Sequence, residues 1–227
     1  MEIERKLMAL DRIYAVYDEF VRVQDTACKM HCHVCCTTHV TLTTLEAYKI
    51  YKTLPPGERE KLLKRVREAS GLHRFRPMLS TNALAERCAE DEDLPAENEA
   101  SATGKCPLLA EDLCSIYALR PFNCRCFISR TLCGAKGYAD VDEAVLAVNT
   151  LFLQTVEHVD ADGCCGNLLD VLGVLTSEEK RLAYAGGSLH CTGNGLIANR
   201  PMKVLMLPPE QREKIEPIMR KLREIRV

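Results

Sequence analysis

Amphipathic periodicity at both ends of the chain, one short strand–turn–strand segment between them, and cysteines gathered on turns predict a mainly α fold with a small β hairpin. The expected architecture is a compact α+β domain centred on metal and flanked by amphipathic helices. The 227 residues are 47% hydrophobic and 27% charged, an ordinary globular composition with enough apolar side chains for a real core. The 13 cysteines are the departure from it. A secreted disulfide scaffold is short and evenly paired, whereas this chain is long, odd in cysteine count and opens MEIERKLMALDRIY without an apolar leader. Reduced thiols in the cytoplasm are therefore expected. The longest nearly apolar stretch, 144–153, is broken by Asn149 and falls short of the roughly 20 residues that a membrane helix needs. With 30 Lys+Arg against 32 Asp+Glu, the net charge of −2 gives no broad footprint for a polynucleotide backbone. The expected partner is a protein or small molecule, with neither nucleic acid nor membrane.

Ile3, Leu7, Leu10, Tyr14, Tyr17 and Val21 recur in steps of four and three, which predicts a helix over about 3–25. It leads into CKMHCHVCC, where no apolar period survives and a loop or tight turn is expected. A short β-prone TTHVTL follows, and Thr43 with Glu46 has capping-box spacing for a helix ending near Leu54 at the Pro-Pro-Gly of 55–57. A charged helix over 58–70 ends at Gly71. The stretch 89–104 reads as a mobile acidic loop, and two short apolar runs about Glu111-Asp112 suit a hairpin before the break at Arg120-Pro121. Helices are expected over 141–159 and 168–175, then one capped by Thr176 and Glu179 and ended by Gly186-Gly187. After Pro208-Pro209, the positions Ile215, Ile218, Met219, Leu222 and Ile225 predict a C-terminal amphipathic helix with a basic outer face. The chain divides into one cysteine-cluster domain over 1–205, with its core at 28–130 and a helical extension at 140–205, and the terminal helix at 206–227.

Cys28, Cys32, Cys35 and Cys36 place four thiols within nine residues, a density that core packing does not choose and that turns can converge on one metal centre. Adjacent side chains diverge in strand or helix, so Cys35 and Cys36 are expected to serve different centres. The second group, Cys106, Cys114, Cys124 and Cys126, is too widely spaced for a single knuckle but suits a hairpin folding back over a centre shared with the first. CPLLAEDLCSIYALRPFNCRCF together with CKMHCHVCC resembles the YkgJ-like cysteine-cluster family, described as zinc- or iron-chelating, and is similar to the cysteine-cluster part of flagellin lysine N-methylases. The resemblance covers roughly 28–130 and implies a small metal-binding fold whose ligands are these cysteines. Two departures stand out. Three residues separate Cys28 from Cys32 where the family has two, and His33 replaces the usual glycine, so either the first turn is looser or His31 or His33 joins the coordination.

Arg125 lies beside the cluster, either in an ordinary ion pair or binding the cofactor by balancing its negative charge. Ile116 and Tyr117 read as core, and Cys88 as a packing residue. Cys164 and Cys165 repeat the vicinal pair, again expected to diverge, and with Cys191 form a conceivable third ligand set. Cys133 competes with Cys126 to complete the second centre. More than eight thiols with no clearly placed histidine exceed what one zinc ribbon needs, so an iron–sulfur cluster, a [4Fe–4S] one, is favoured over zinc. The spacing of Cys28, Cys32 and Cys35 matches a radical S-adenosylmethionine triad, but no strand–helix repeat of a barrel surrounds it. Neither a nucleophile elbow nor a phosphate-binding loop is present. Three readings result: a redox or protein-modifying Fe–S protein, such as an Fe–S dependent oxidoreductase or protein-modifying enzyme; a zinc-stapled interaction module; and a metal- or cluster-handling protein.

Overall fold

α1 (Glu2–Arg22) buries Leu7, Leu10, Ile13, Tyr14 and Tyr17 on one face, the stripe that the spacing predicts. In the computed structural model, which describes residues 2–96, 104–191, 193 and 195–226, this helix lies against α7 (Glu143–Val159) and the terminal α10 (Arg212–Arg223). Tyr17 joins α1 to α7 and to Phe122. Its ring meets Phe122 at 4.7 Å and Phe152 at 5.0 Å, both edge-on, and its hydroxyl donates to Asn149 Oδ1 at 2.7 Å. Ile215, Met219 and Leu222 of α10 close this first apolar cluster. No helix among the described residues is long and apolar enough to cross a membrane.

The second cluster forms between α2 (Thr44–Thr53), α3 (Pro56–Glu68) and α8 (Leu168–Val174), with Ile50, Leu62, Val66, Leu172, Leu108 and Ile116 inside. The capping box at α2 is complete, since Glu46 N–H donates to Thr43 Oγ1 at 3.3 Å and Thr43 N–H to Glu46 Oε2 at 2.8 Å. Glu46 does more than cap. Its Oε1 accepts from the Tyr14 hydroxyl at 2.7 Å and from Phe122 N–H at 2.6 Å, which ties α1 and the one-turn α5 (Phe122–Arg125) to α2.

Between these helices lies a three-stranded antiparallel sheet in the order β1 (Thr41–Thr43), β4 (Cys164–Asn167), β5 (Leu196–Ala198). Cys165 sits opposite Thr43 on one side and Ile197 on the other. The CCGN strand has no alternation to announce it, so the sequence shows only glycine-flanked loops there. The hairpin is the predicted one: β2 (Leu109–Ala110) pairs with β3 (Leu113–Cys114), and both turn residues are left-handed, Glu111 at φ 51° and Asp112 at φ 63°.

Two expectations shift. α9 (Glu178–Ala185) is capped by Ser177, which accepts from Lys180 N–H at 3.4 Å, while Thr176 bonds back to Gly173 O. Cys88, expected to pack, is exposed on α4 (Thr81–Ala89), and of the acidic stretch 89–104 the residues 97–103 lie outside the described ones. The short α6 (Cys133–Lys136) ends at Gly137, whose φ of 79° suits a glycine.

Candidate metal centre

The first cysteine group occupies the loop between α1 and β1. Cys32 N–H closes a turn onto Lys29 O at 3.0 Å, with His31 left-handed at φ 70°, so the extra residue of the first spacing is taken up at His31. Cys36 N–H then turns onto His33 O at 2.9 Å. The second group is knitted to the first through the main chain: Cys106 N–H donates to Cys36 O at 2.9 Å, Thr38 N–H to Gly104 O at 2.9 Å, and Thr37 bridges Lys105. His33 Nε2 lies 3.4 Å from Asp112 Oδ1 at the hairpin tip, and His33 is not among the residues that line the cysteine cavity.

Seven thiols line one cavity of about 240 Å³: Cys28, Cys32, Cys35 and Cys36 from the first group, and Cys106, Cys114 and Cys124 from the second. The interaction of the neighbouring Cys35 and Cys36 side chains pulls Cys36 below its ordinary pKa and, with burial, pushes Cys35 up. Burial raises Cys106, Cys114 and Cys124, and the charges of these three oppose ionisation of Cys36, so the four are electrostatically one group. The donor set fits a thiophilic metal. Among the described residues, no three Cys, His, Asp or Glu side chains already converge at ligand distance, so the thiols ring the cavity rather than a point.

Sequence reasoning singled out Arg125, which lines this cavity but is held by Asp18 at 3.3 Å and by the carbonyls of Arg120 and Ala118, with its guanidinium 4.4 Å from the Tyr14 ring centre. The cation that favours thiolate at Cys35, Cys114 and Cys124 is Arg120, stacked 3.8 Å over the Tyr117 ring. In the sequence Arg120 stands out only as the residue before a proline. Tyr117, expected in the core, lines the cavity, as does His31; Ile116 is both buried and on its wall.

Four predicted ligands stand elsewhere. Cys126 belongs to the first apolar cluster, donates to Asn123 O at 3.4 Å, and is pushed by burial up to about 12. Cys133, its competitor, starts α6 and does not line the cavity either. Cys164 and Cys191 are joined in a disulfide with Cα atoms 5.7 Å apart, which corrects both the third ligand set and the reading of reduced thiols throughout. Cys165 faces a different cavity. The two vicinal pairs behave differently for a physical reason: Cys164 and Cys165 alternate on a strand and diverge, whereas Cys35 and Cys36 sit at a turn and line the same cavity, against expectation.

A helical domain that folds two distant cysteine groups around a single thiol-lined cavity is, in class, a cysteine-rich metal-binding protein. The model of the CxxCxxCC family, described as a putative zinc- or iron-chelating domain, matches residues 27–145, and the chain belongs to this family. No curated protein and no solved structure matches the chain. The matched segment holds all seven cavity cysteines and leaves Cys164, Cys165 and Cys191 outside it.

Proposed function

We propose that the cavity carries an iron–sulfur cluster, of the [4Fe–4S] type, and that the chain works as a redox or protein-modifying Fe–S protein. The carrying observation is that seven thiols from two groups about 70 residues apart line one cavity, more than the four that a structural zinc uses. Cys36, Cys106, Cys114 and Cys124 would supply the ligands, with Cys35, Cys32 and Cys28 beside them. Bound there, the cluster would supply one-electron chemistry. Arg120 would balance the negative charge of the thiolates directly, and Arg125 would do so from the cavity wall. Eleven free thiols against the one disulfide, Cys164–Cys191, suit a reducing compartment such as the cytoplasm. Exposed Met30, Val34 and Phe127 stand on the segments that carry the cysteines, which favours a zinc-stapled interaction module as the second reading.

Metal and acid-labile sulfide analysis of anaerobically purified protein decides between the two. We expect brown protein with about four irons and matching sulfide per chain. Stoichiometric zinc without sulfide would overturn the cluster and leave the interaction module.

A further inference from the structure

A second cavity, of about 460 Å³, lies between the sheet, α4, α7 and the turn of α5, and has no lining residue in common with the cysteine cavity. Phe75, Leu79, Leu84, Phe122, Leu153 and Val156 give it apolar walls. Its polar groups fall into two sets, and the first is spent. Glu157 accepts from Asn82 N–H and Arg200 N–H, each at 2.8 Å, and from the Ser80 hydroxyl and Thr81 N–H. Glu46 likewise accepts from four donors, two N–H groups and the hydroxyls of Tyr14 and Thr43. Four donors fill a carboxylate, so neither acid has room for an ammonium group. Their charge still repels an anion, since the lining holds no Lys, Arg or His. The cavity therefore selects against ligands of either sign.

The second set is unspent and consists of donors. Thr41 and Thr43 alternate onto the face of the sheet that Cys165, the partner of Thr43, also presents, and all three line the cavity. The Thr41 hydroxyl accepts from Asn123 Nδ2 at 2.6 Å, but its own proton meets no acceptor among the described residues. The free Cys165 thiol donates to none either. Burial and the charges of Glu157, Asp160 and Glu46 hold this thiol above its ordinary pKa, so it stays a protonated donor rather than a nucleophile. Free donors at one end of an apolar space call for a ligand with an acceptor oxygen and an apolar body.

We propose that this cavity binds an uncharged carbonyl compound with an apolar body, its oxygen against Thr41 and Cys165 at the sheet and its body along Phe122, Leu153 and Leu84. Binding is non-covalent and does not depend on the metal. The oxygen takes up donors that the fold leaves without a partner, and the body displaces water from the walls.

The test uses four probes of similar size, acetophenone, ethylbenzene, benzoate and benzylammonium, titrated into the full chain at about pH 7.5, where the last two are charged. Calorimetry and ligand-observed NMR should show saturable binding of acetophenone, about tenfold tighter than ethylbenzene, and none of either ion. Thr41→Val should bring acetophenone to the level of ethylbenzene, whereas Thr41→Ser, which keeps the hydroxyl, should preserve the preference. Leu84→Trp, which fills the cavity from α4, should abolish binding of both. Ethylbenzene binding as tightly as acetophenone, either ion doing so, no saturable binding of acetophenone, or its full retention in Leu84→Trp overturns the proposal. The comparison of probes on the unaltered chain decides the matter even if Thr41→Val does not fold.

Discussion

Asp160, just beyond α7, collects the hydroxyls of Thr44 and Tyr184 at 2.7 Å each and, at 3.0 Å, Leu45 N–H and the Asn199 amide. Complete burial outweighs these donors and pushes its pKa up to about 7. The folded chain then binds a proton that the unfolded chain, with an ordinary value of about 3.9, releases. The stability contributed by this proton is fully present below about pH 4 and is lost as pH rises through about 7. Asp160→Asn, neutral throughout, should flatten that slope in urea midpoints measured at about pH 4.5 and 7.5. Asp160→Ala leaves the donors without an acceptor and should cost about 3 kcal/mol. Nothing in VDADG distinguishes this carboxylate from a solvated one, because its role is set by where α2 and α9 bring their hydroxyls. The cysteines were more legible, since four thiols in nine residues already state their chemistry. Cys36→Ala and Cys124→Ala should empty the centre, while Cys126→Ala and Cys165→Ala should keep full metal by elemental analysis. Which of Arg120 and Arg125 faces the thiols is not legible in the sequence, because Arg120 takes its direction from stacking on Tyr117, and Arg125 from a one-turn helix that packs on Glu46.

Elements with a local cause are legible in the sequence, to within one residue at the cap of α9, and those with a remote cause are not. The capping box of α2 lies in Thr43 and Glu46 themselves, and the hairpin turn in the Glu111-Asp112 interruption of two apolar runs. β4 exists as a strand only because β1 and β5 flank it, and β5 only because β4 does, pairings that no window of the sequence contains. The hairpin carries a measurable cost, because two non-glycine residues occupy the left-handed region. Glu111→Asn, a residue that accepts this conformation, should stabilise the chain by about 0.5 kcal/mol, seen as a rise of about 1–2 °C in Tm. At α2 the sign reverses. Glu46→Ala removes the shared acceptor of α1, α2 and α5 and should cost about 3 kcal/mol, and by freeing α5 it should make Cys124 react faster with a thiol reagent.

At the scale of the molecule, two apolar clusters hold different parts of the chain. The first gathers α1, α7 and α10, and the second gathers α2, α3 and α8 under the cysteine loops. The family match stops at residue 145, so most of α7 and everything after it completes cores that the matched segment leaves open. The disulfide lies in that later region, and its residues are 27 apart in sequence. Chain-entropy reasoning gives a crosslink of this reach about 3.5 kcal/mol. The double change Cys164→Ala and Cys191→Ala should therefore lower the denaturation free energy by about 3 kcal/mol in chemical melts, with the metal content unchanged.

That same bond makes a closed ring of the chain from Cys164 to Cys191, with α8 and α9 strung inside it. The exposed Gly186-Gly187 pair lies on the ring. A protease that cuts there severs the polymer without dividing the molecule: the C-terminal piece, with α10 seated in the first cluster, stays fastened to β4. The nicked protein should run as one band until reductant is added and as two afterwards, so an intact gel lane is no proof of an uncut chain.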